Sequence, residues 1–170
     1  MLKAIVCVDK QLNIGYNNEL LVCIPEDLKR FKELTTGSTI IMGRNTFLSL
    51  PDQKPLPNRK NIVISRHDVP NCEVSTSIES IIKEFSGKDK DAWVIGGESI
   101  YEQLVPYCSM IYLTLVDYIF EGANKKFPKV EGFVPVEKSC MKRCEKTGYD
   151  FMFWEFEKTN NEFLKDLLFY

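Results

Sequence analysis

The sequence predicts an α/β fold: a mostly parallel central sheet of about eight strands with an antiparallel C-terminal edge, flanked by four helices. Three observations predict it. β-Branched runs alternate with helical periodicities along the first two thirds of the chain, and two apolar runs pass directly into glycine and then a helix. The last third holds two strand-like runs with no helix between them.

Each element follows from its local pattern. "LKAIVCV", residues 2–8, is apolar and β-branched and forms the first strand. A long loop, "DKQLNIGYNNELLVC", follows, and Pro25 opens a helix, because proline is pre-set for the first helical position. "STIIMG", residues 38–43, is a strand and "RNTFLSL" a short helix. "NIVISR" and "CEVS" are strands, and "SIESIIKEFSG" is a helix opened by Ser77 and closed by Gly87. "AWVIGG" is a strand, "ESIYEQLV" a helix broken before Pro106, and "MIYLTLVD" a strand. "FVPVEKSC" and "DFMFWEFEK" complete the antiparallel edge. The expected domain is residues 1–158, and "TNNEFLKDLLFY", 159–170, reads as a C-terminal extension with a short helix and no assigned role.

A chain of 170 residues buries an adequate core without disulfides or metal. With 44% apolar and 27% charged residues it is an ordinary globular composition. A net charge of -2 provides no basic field for a nucleic-acid backbone or an anionic membrane, so a small-molecule partner is expected. "MLKAIVCVDKQ" is too short an apolar run for a signal peptide or a membrane span, so a cytoplasmic location is expected, and with no long exposed apolar stretch a monomer is expected. The six cysteines are then thiols. Cys140 and Cys144 form a C-x3-C, but zinc takes about four ligands and His67 is the one histidine, so no metal is expected.

Two places share one grammar. In "STIIMGRNTF" a strand ends at Gly43 and Arg44 opens the turn; in "WVIGGESIY" a strand ends at Gly96-Gly97 and Glu98 and Ser99 start the next helix. In open α/β sheets ligands sit beyond the carboxyl ends of the strands, where helix N-termini present unpaired N–H groups and a positive dipole end. Two such junctions suit the two phosphates of a dinucleotide. Arg44 and Arg66 add charge for a third phosphate on the ribose, which favours NADP over NAD. Glu98 is unwelcome beside phosphate unless it points away, and His67 reads as solvated.

The helix "IPEDLKRFKEL" raises a separate question. Ile24, Leu28, Phe31 and Leu34 share one face at about 100° per residue, and Asp27 falls between Phe31 and Leu34. A first-turn acid serves the helix dipole, but Glu26 already does so from the solvated side. A carboxylate on the apolar face costs several kcal/mol unless paired, and no arginine or lysine is expected on that face within a turn. A ligand with two parallel N–H donors would be the missing partner.

Taken in order, "IGYNNELL", "IPEDLKRFKELT", "STIIMGRNTFLSL", "PLPNRKNIVIS", "VIGGESIYEQLVP", "YLTLVD" and "EGANKKFP" resemble bacterial-type dihydrofolate reductase over residues 1–157. The resemblance implies that Asp27 binds the 2-amino group and N3 of a pterin. It places Phe31, Leu28, Leu50 and Leu56 in an apolar slot, Val6 and Cys7 at the pterin end, and the carbonyls of Ile5 and Ile95 at the pterin edge near Tyr101. Arg59 matches the arginine that grips the carboxylate of the glutamate tail. Leu20, Asp27 and Thr114 are assigned to the catalytic step, Thr114 as support for Asp27 and Leu20 on the mobile loop "NIGYNNELL". The NADPH side is implied for Cys7, Ile14, Gly15, Gly43, Arg44, Asn45, Thr46, Ser65, Arg66, Ile95, Gly96, Gly97, Ser99 and Tyr101. The implied reaction moves hydride from the nicotinamide C4 to C6 of dihydrofolate, with a proton added at N5.

Two departures stand out. The Leu-Pro-Trp that family members carry before this helix is absent, and Val22, in the tryptophan's place, has no N–H to hold a water. After Gly122 the usual acid is replaced by Ala123 or Asn124, which predicts slow loop closure. Competing readings are a same-fold pyrimidine reductase of riboflavin synthesis, disfavoured by Asp27 with Arg59, and a catalytically weak NADPH-binding homologue.

Overall fold

The computed structural model describes residues 1–159, so the expected extension at 160–170 lies outside the described residues. Its main sheet has nine strands, eight of them in one path. The central strand is β1 (Leu2–Val8), followed in the chain by β2 (Asn13–Tyr16), β3 (Glu19–Leu20) and helix α1 (Pro25–Thr35). Next come β4 (Thr39–Gly43), α2 (Arg44–Leu48), β5 (Lys60–Ile64), β6 (Glu73–Ser75), α3 (Ile78–Phe85), β7 (Ala92–Gly96) and α4 (Glu98–Leu104). The described residues end with β8 (Met110–Val116), β9 (Lys125–Lys126), β10 (Phe133–Lys138), β11 (Lys142–Arg143) and β12 (Asp150–Lys158). The path runs β10-β12-β8-β1-β7-β4-β5-β6, with β11 beside β12. From β8 to β6 every pairing is parallel, and β12 and β10 join antiparallel. This is the sheet expected from the alternation of strands and helices.

Alternation along β1 divides the core into two layers. Leu2, Ala4, Val6 and Val8 face one side, with Ile81 and Phe85 of α3 and Ile100 and Leu104 of α4. Ile5 faces the other, with Phe31 and Leu34 of α1, Phe47 of α2, and Ile40, Met42, Val63 and Trp93 of the sheet. Both faces are covered, which is why the parallel strands read as near-continuous apolar runs. α3 begins where Ser77 Oγ accepts from the Ser80 amide at 3.2 Å and ends before Gly87, whose φ of +67° suits a position just past a helix. Cys144 packs as a small hydrophobe against Ile24, Val116 and Phe151, while Cys140 is exposed.

The first loop departs from expectation. It folds into a hairpin, β2 with β3, which pairs with β9 as a separate three-stranded sheet. Tyr16 pairs with Glu19 across Asn17 and Asn18, at φ +48° and +64°. A two-residue turn with both φ positive suits the right-handed strand twist, and asparagine tolerates it. Asp9, fully buried, holds the base of this sheet. Its carboxylate accepts from the amides of Gln11, Asn13 and Phe120 and from Asn13 Nδ2, at 2.8–3.0 Å. Burial pushes the Asp9 carboxyl up, but these hydrogen bonds outweigh it and hold it below the usual carboxylate value.

Candidate active site

A cleft of about 560 Å³ opens at the carboxyl ends of β1, β4 and β7, with the small sheet as one wall. On its floor the starts of α2 and α4 meet. Neither helix has a side-chain cap at its N-terminus, so first-turn amides are left for another partner. Glycine is required here by space. A Cβ on Gly43 would stand 3.0 Å from Ile100 Cγ1, and one on Gly97 would stand 3.3 Å from Thr46 Oγ1. Gly96 has φ +118°, and a Cβ there would meet the Tyr101 ring at 3.0 Å. Tyr101 is in turn fixed by donating to the Ile5 carbonyl at 2.7 Å and by an edge contact with Phe127.

Asp27 is not itself part of the cleft's lining: α1 places it against β8, close enough to the lining residues Cys7 and Tyr101 for its charge to act on both. Thr114 Oγ1 donates to Asp27 Oδ1 at 2.6 Å, and among the described residues Oδ2 has no partner. Burial raises the Asp27 carboxyl above its usual value; the Thr114 hydroxyl and then the Arg30 cation act in the opposite direction. Arg30 corrects the sequence reading, which expected no arginine or lysine on Asp27's face within a turn. Its long side chain folds back over strands distant in sequence, pairing Nη2 with Glu155 Oε1 at 2.9 Å. Burial, and next the Asp27 charge, raise the thiol of Cys7 and the phenol of Tyr101, so both stay protonated.

The expected residues fall into distinct groups. Val6, Cys7, Ile14, Gly15, Leu20, Gly43, Arg44, Asn45, Thr46, Arg66, Ile95, Gly97, Ser99 and Tyr101 line the cleft. Phe31, Leu50 and Leu56 pack in one cluster with Ile5 and Ile95. Leu28 does not join it and is exposed, because α1 turns Phe31 and Leu34 toward the sheet. Arg59 lies over the Phe31 ring at 5.7 Å, held by its bonds to the Pro57 carbonyl and to Thr35 Oγ1. Ser65 is not among the residues lining the cleft; its hydroxyl donates to the His67 carbonyl and accepts from the His67 amide in a tight turn. His67 is exposed.

Sequence reasoning missed Asn18, Glu19, Ser49, Ile64, Ile100 and Lys125, which also line the cleft. The "YNNE" turn was the available signal for the first two. Glu98 lines the cleft too, yet its carboxylate is engaged by the Lys126 amide at 2.9 Å and Lys125 Nζ at 3.1 Å. Its negative charge is thereby answered within the chain. Val22 lines a cavity of about 10 Å³ together with Cys7, Asp9 and Leu20.

Comparison with known proteins matches residues 1–158 to the family model described as dihydrofolate reductase. The chain is 36% identical over 166 residues to a dihydrofolate reductase of Bacillus subtilis, covering 95% of this chain and 96% of the relative. It is 40% identical over 138 residues to one of Buchnera aphidicola subsp. Schizaphis graminum, 80% of each chain. A solved structure, dihydrofolate reductase from Enterococcus faecalis complexed with NADP(H) and RAB-propyl, superposes with a TM-score of 0.85. It is 28% identical, with 94% of this chain and 97% of that chain covered.

Proposed function

The chain belongs to the dihydrofolate reductase family, and from that premise we propose that it reduces 7,8-dihydrofolate to 5,6,7,8-tetrahydrofolate, with Asp27 as the substrate's anchor. It is an NADPH-dependent oxidoreductase, and its product supports one-carbon and thymidylate metabolism. The observation that carries the reading of the substrate site is the carboxylate of Asp27, held at Oδ1 by Thr114 while Oδ2 has no partner among the described residues.

The cleft fits the cofactor. Uncapped α2 and α4, and the absence of room for any side chain at Gly96, leave amides accessible to a diphosphate. Gly43, Arg44, Asn45, Thr46, Gly96, Gly97 and Ser99 would hold the diphosphate region of NADPH, and Arg66 would meet its ribose phosphate. NADPH, when bound, supplies the hydride that passes from its nicotinamide C4 to C6 of the pterin.

The chain's own groups bind, orient and move the proton. Asp27 accepts the pterin's 2-amino and N3 donors and promotes protonation at N5. Its raised pKa, nearer the working pH than an exposed carboxyl's, suits that task. Phe31, Leu50 and Leu56 enclose the apolar part of the substrate, and the guanidinium of Arg59 meets the tail carboxylate. The small sheet carrying Ile14, Gly15 and Leu20 excludes water. Asn124 takes the bracing place after Gly122: its amide donates to the Gly15 carbonyl at 3.2 Å and its side chain to Asn17 Oδ1 at 3.5 Å. A neutral amide brace in place of the family acid is the basis for slow closure, and stopped-flow closure rates test it.

The domain is residues 1–158, and we place it in the cytoplasm as a monomer. Among the described residues no helix is long and apolar enough to cross a membrane. The reaction is tested by following NADPH and NADH oxidation with dihydrofolate present. Dihydrofolate-dependent turnover that prefers NADPH supports the assignment, and its absence refutes it.

A further inference from the structure

We propose that Arg30 is a positioning residue for this reaction, acting through Asp27: its guanidinium sets the charge with which Asp27 meets the substrate. The inference rests on the reading of Asp27 as the substrate anchor.

The two residues are three apart on α1, on neighbouring stripes of one helix. Beneath them, β8 and β12 pair so that Thr114 stands opposite Phe153 and Tyr112 opposite Glu155. Alternation puts all four side chains on one sheet face. Thr114 receives Asp27, and the other three receive Arg30. The guanidinium carbon lies 4.5 Å from the Phe153 ring centroid and 5.5 Å from that of Tyr112, with Nη2 on Glu155. Arg30 is only 16% exposed, so the cation is largely withdrawn from water on the sheet face that also carries Thr114.

The pairing with Glu155 does not account for the arginine. Its Nη1 is buried without a partner among the described residues. Apolar side chains in place of the whole Arg30–Glu155 pair would cover Tyr112 and Phe153 without desolvating charge, and such replacements of a pair are often neutral or stabilising. What an apolar residue could not supply is a fixed positive field one turn from Asp27.

The other groups around Asp27 do not supply it. From β8 come Thr114, which is neutral, and Tyr112, which lies beyond Arg30; from β1 comes Cys7 and from α4 Tyr101, both protonated. From β12 comes Glu155, whose anion offsets part of Arg30's charge, and from β11 comes Lys142, whose ammonium lies 5.1 Å from the Phe153 ring centroid but is not among the groups that shift Asp27. Arg30 opposes the upward push of burial on Asp27, and on this proposal Glu155, through its pairing with Arg30 at 2.9 Å, limits how far. The two therefore have opposite effects.

The test is a carbon-13 titration of the Asp27 carboxyl in the full, ligand-free chain, the signal assigned by its loss in Asp27→Asn. Arg30→Met raises the midpoint by roughly one pH unit, Arg30→Lys restores most of the shift, and Glu155→Gln lowers it. In kcat/KM for dihydrofolate the acid limb moves with the midpoint, because the ionised carboxylate binds the substrate. Opposed shifts are not produced by general damage to the fold. An unmoved midpoint in a folded Arg30→Met, or shifts of the same sign in Arg30→Met and Glu155→Gln, overturns the proposal. Should Arg30→Met fail to fold, the Glu155→Gln shift decides alone. Absence of wild-type turnover defeats the assigned reaction, while the titration still decides the coupling.

Discussion

The hydroxyl of Thr114 on β8 donates to Oδ1 of Asp27 on α1 at 2.6 Å, tying an inward acid to the centre of the sheet. The bond leaves Oδ2 as the acceptor for an incoming donor and fixes its direction. Hydrogen bonds to charged groups contribute about 1.5–3 kcal/mol. Thr114→Val removes the donor and lets burial raise Asp27 further. Its KM for dihydrofolate rises on the order of tenfold, with KM for NADPH little changed, measured by steady-state kinetics at pH 7.

Asp9 is the polar tie between the start of the small sheet and the segment at Phe120. Asp9→Asn puts an amide donor where only donors converge, and it lowers stability by about 2–4 kcal/mol. The sign with pH follows from the lowered folded pKa. Asp9's contribution is complete above the unfolded value of about 3.9 and is lost as pH falls through the folded value. Urea melts therefore show the largest gap between wild type and variant near neutrality, shrinking in acid.

Arg59 uses Nε and Nη1 on Pro57 and Thr35, so the fork is oriented before a ligand arrives. Lysine keeps the charge but loses the planar fork. Arg59→Lys raises KM for dihydrofolate about tenfold while kcat and KM for NADPH hold. Equal losses on both substrates would show that Arg59 serves the fold instead.

Arg66 lines the cleft at the end of β5, exposed and without a salt-bridge partner among the described residues. Arg66→Gln lowers the preference for NADPH over NADH on the order of tenfold. The ratio of the two kcat/KM values measures this directly.

Much of the fold was legible because its signals are local. Ser77 and Gly87 bound α3, Pro106 ends α4, and the strand–glycine junctions at Gly43 and Gly96 stand where the sheet opens. Asp27 was legible as an inward acid because helical periodicity reaches that far. The remainder depends on contacts between distant segments. β9 exists only as a partner of β2, and Arg30 finds Glu155 across 125 residues of sequence. Leu28 shares the apolar stripe with Phe31, but periodicity does not say which part of a stripe the sheet covers.

Asp27 also has a stability cost that follows from its raised folded pKa. The ionised form is disfavoured in the folded chain. Relative stability is therefore greatest below the unfolded value of about 3.9 and is lost as pH rises to the folded value. Asp27→Asn keeps an acceptor for Thr114 and removes the charge. It melts higher than the wild type at pH 7, and the difference closes as pH falls toward 4. A lower melting temperature at pH 7 would contradict this.

The most direct measurement is dihydrofolate reduction by wild type and Asp27→Asn, with NADPH binding measured on both by fluorescence. If Asp27 is the substrate's anchor and proton-steering group, the variant loses on the order of a hundredfold or more in kcat/KM for dihydrofolate while its NADPH affinity is unchanged. A variant that turns over dihydrofolate as the wild type does would contradict the account, and the inward acid would then be a structural feature of α1.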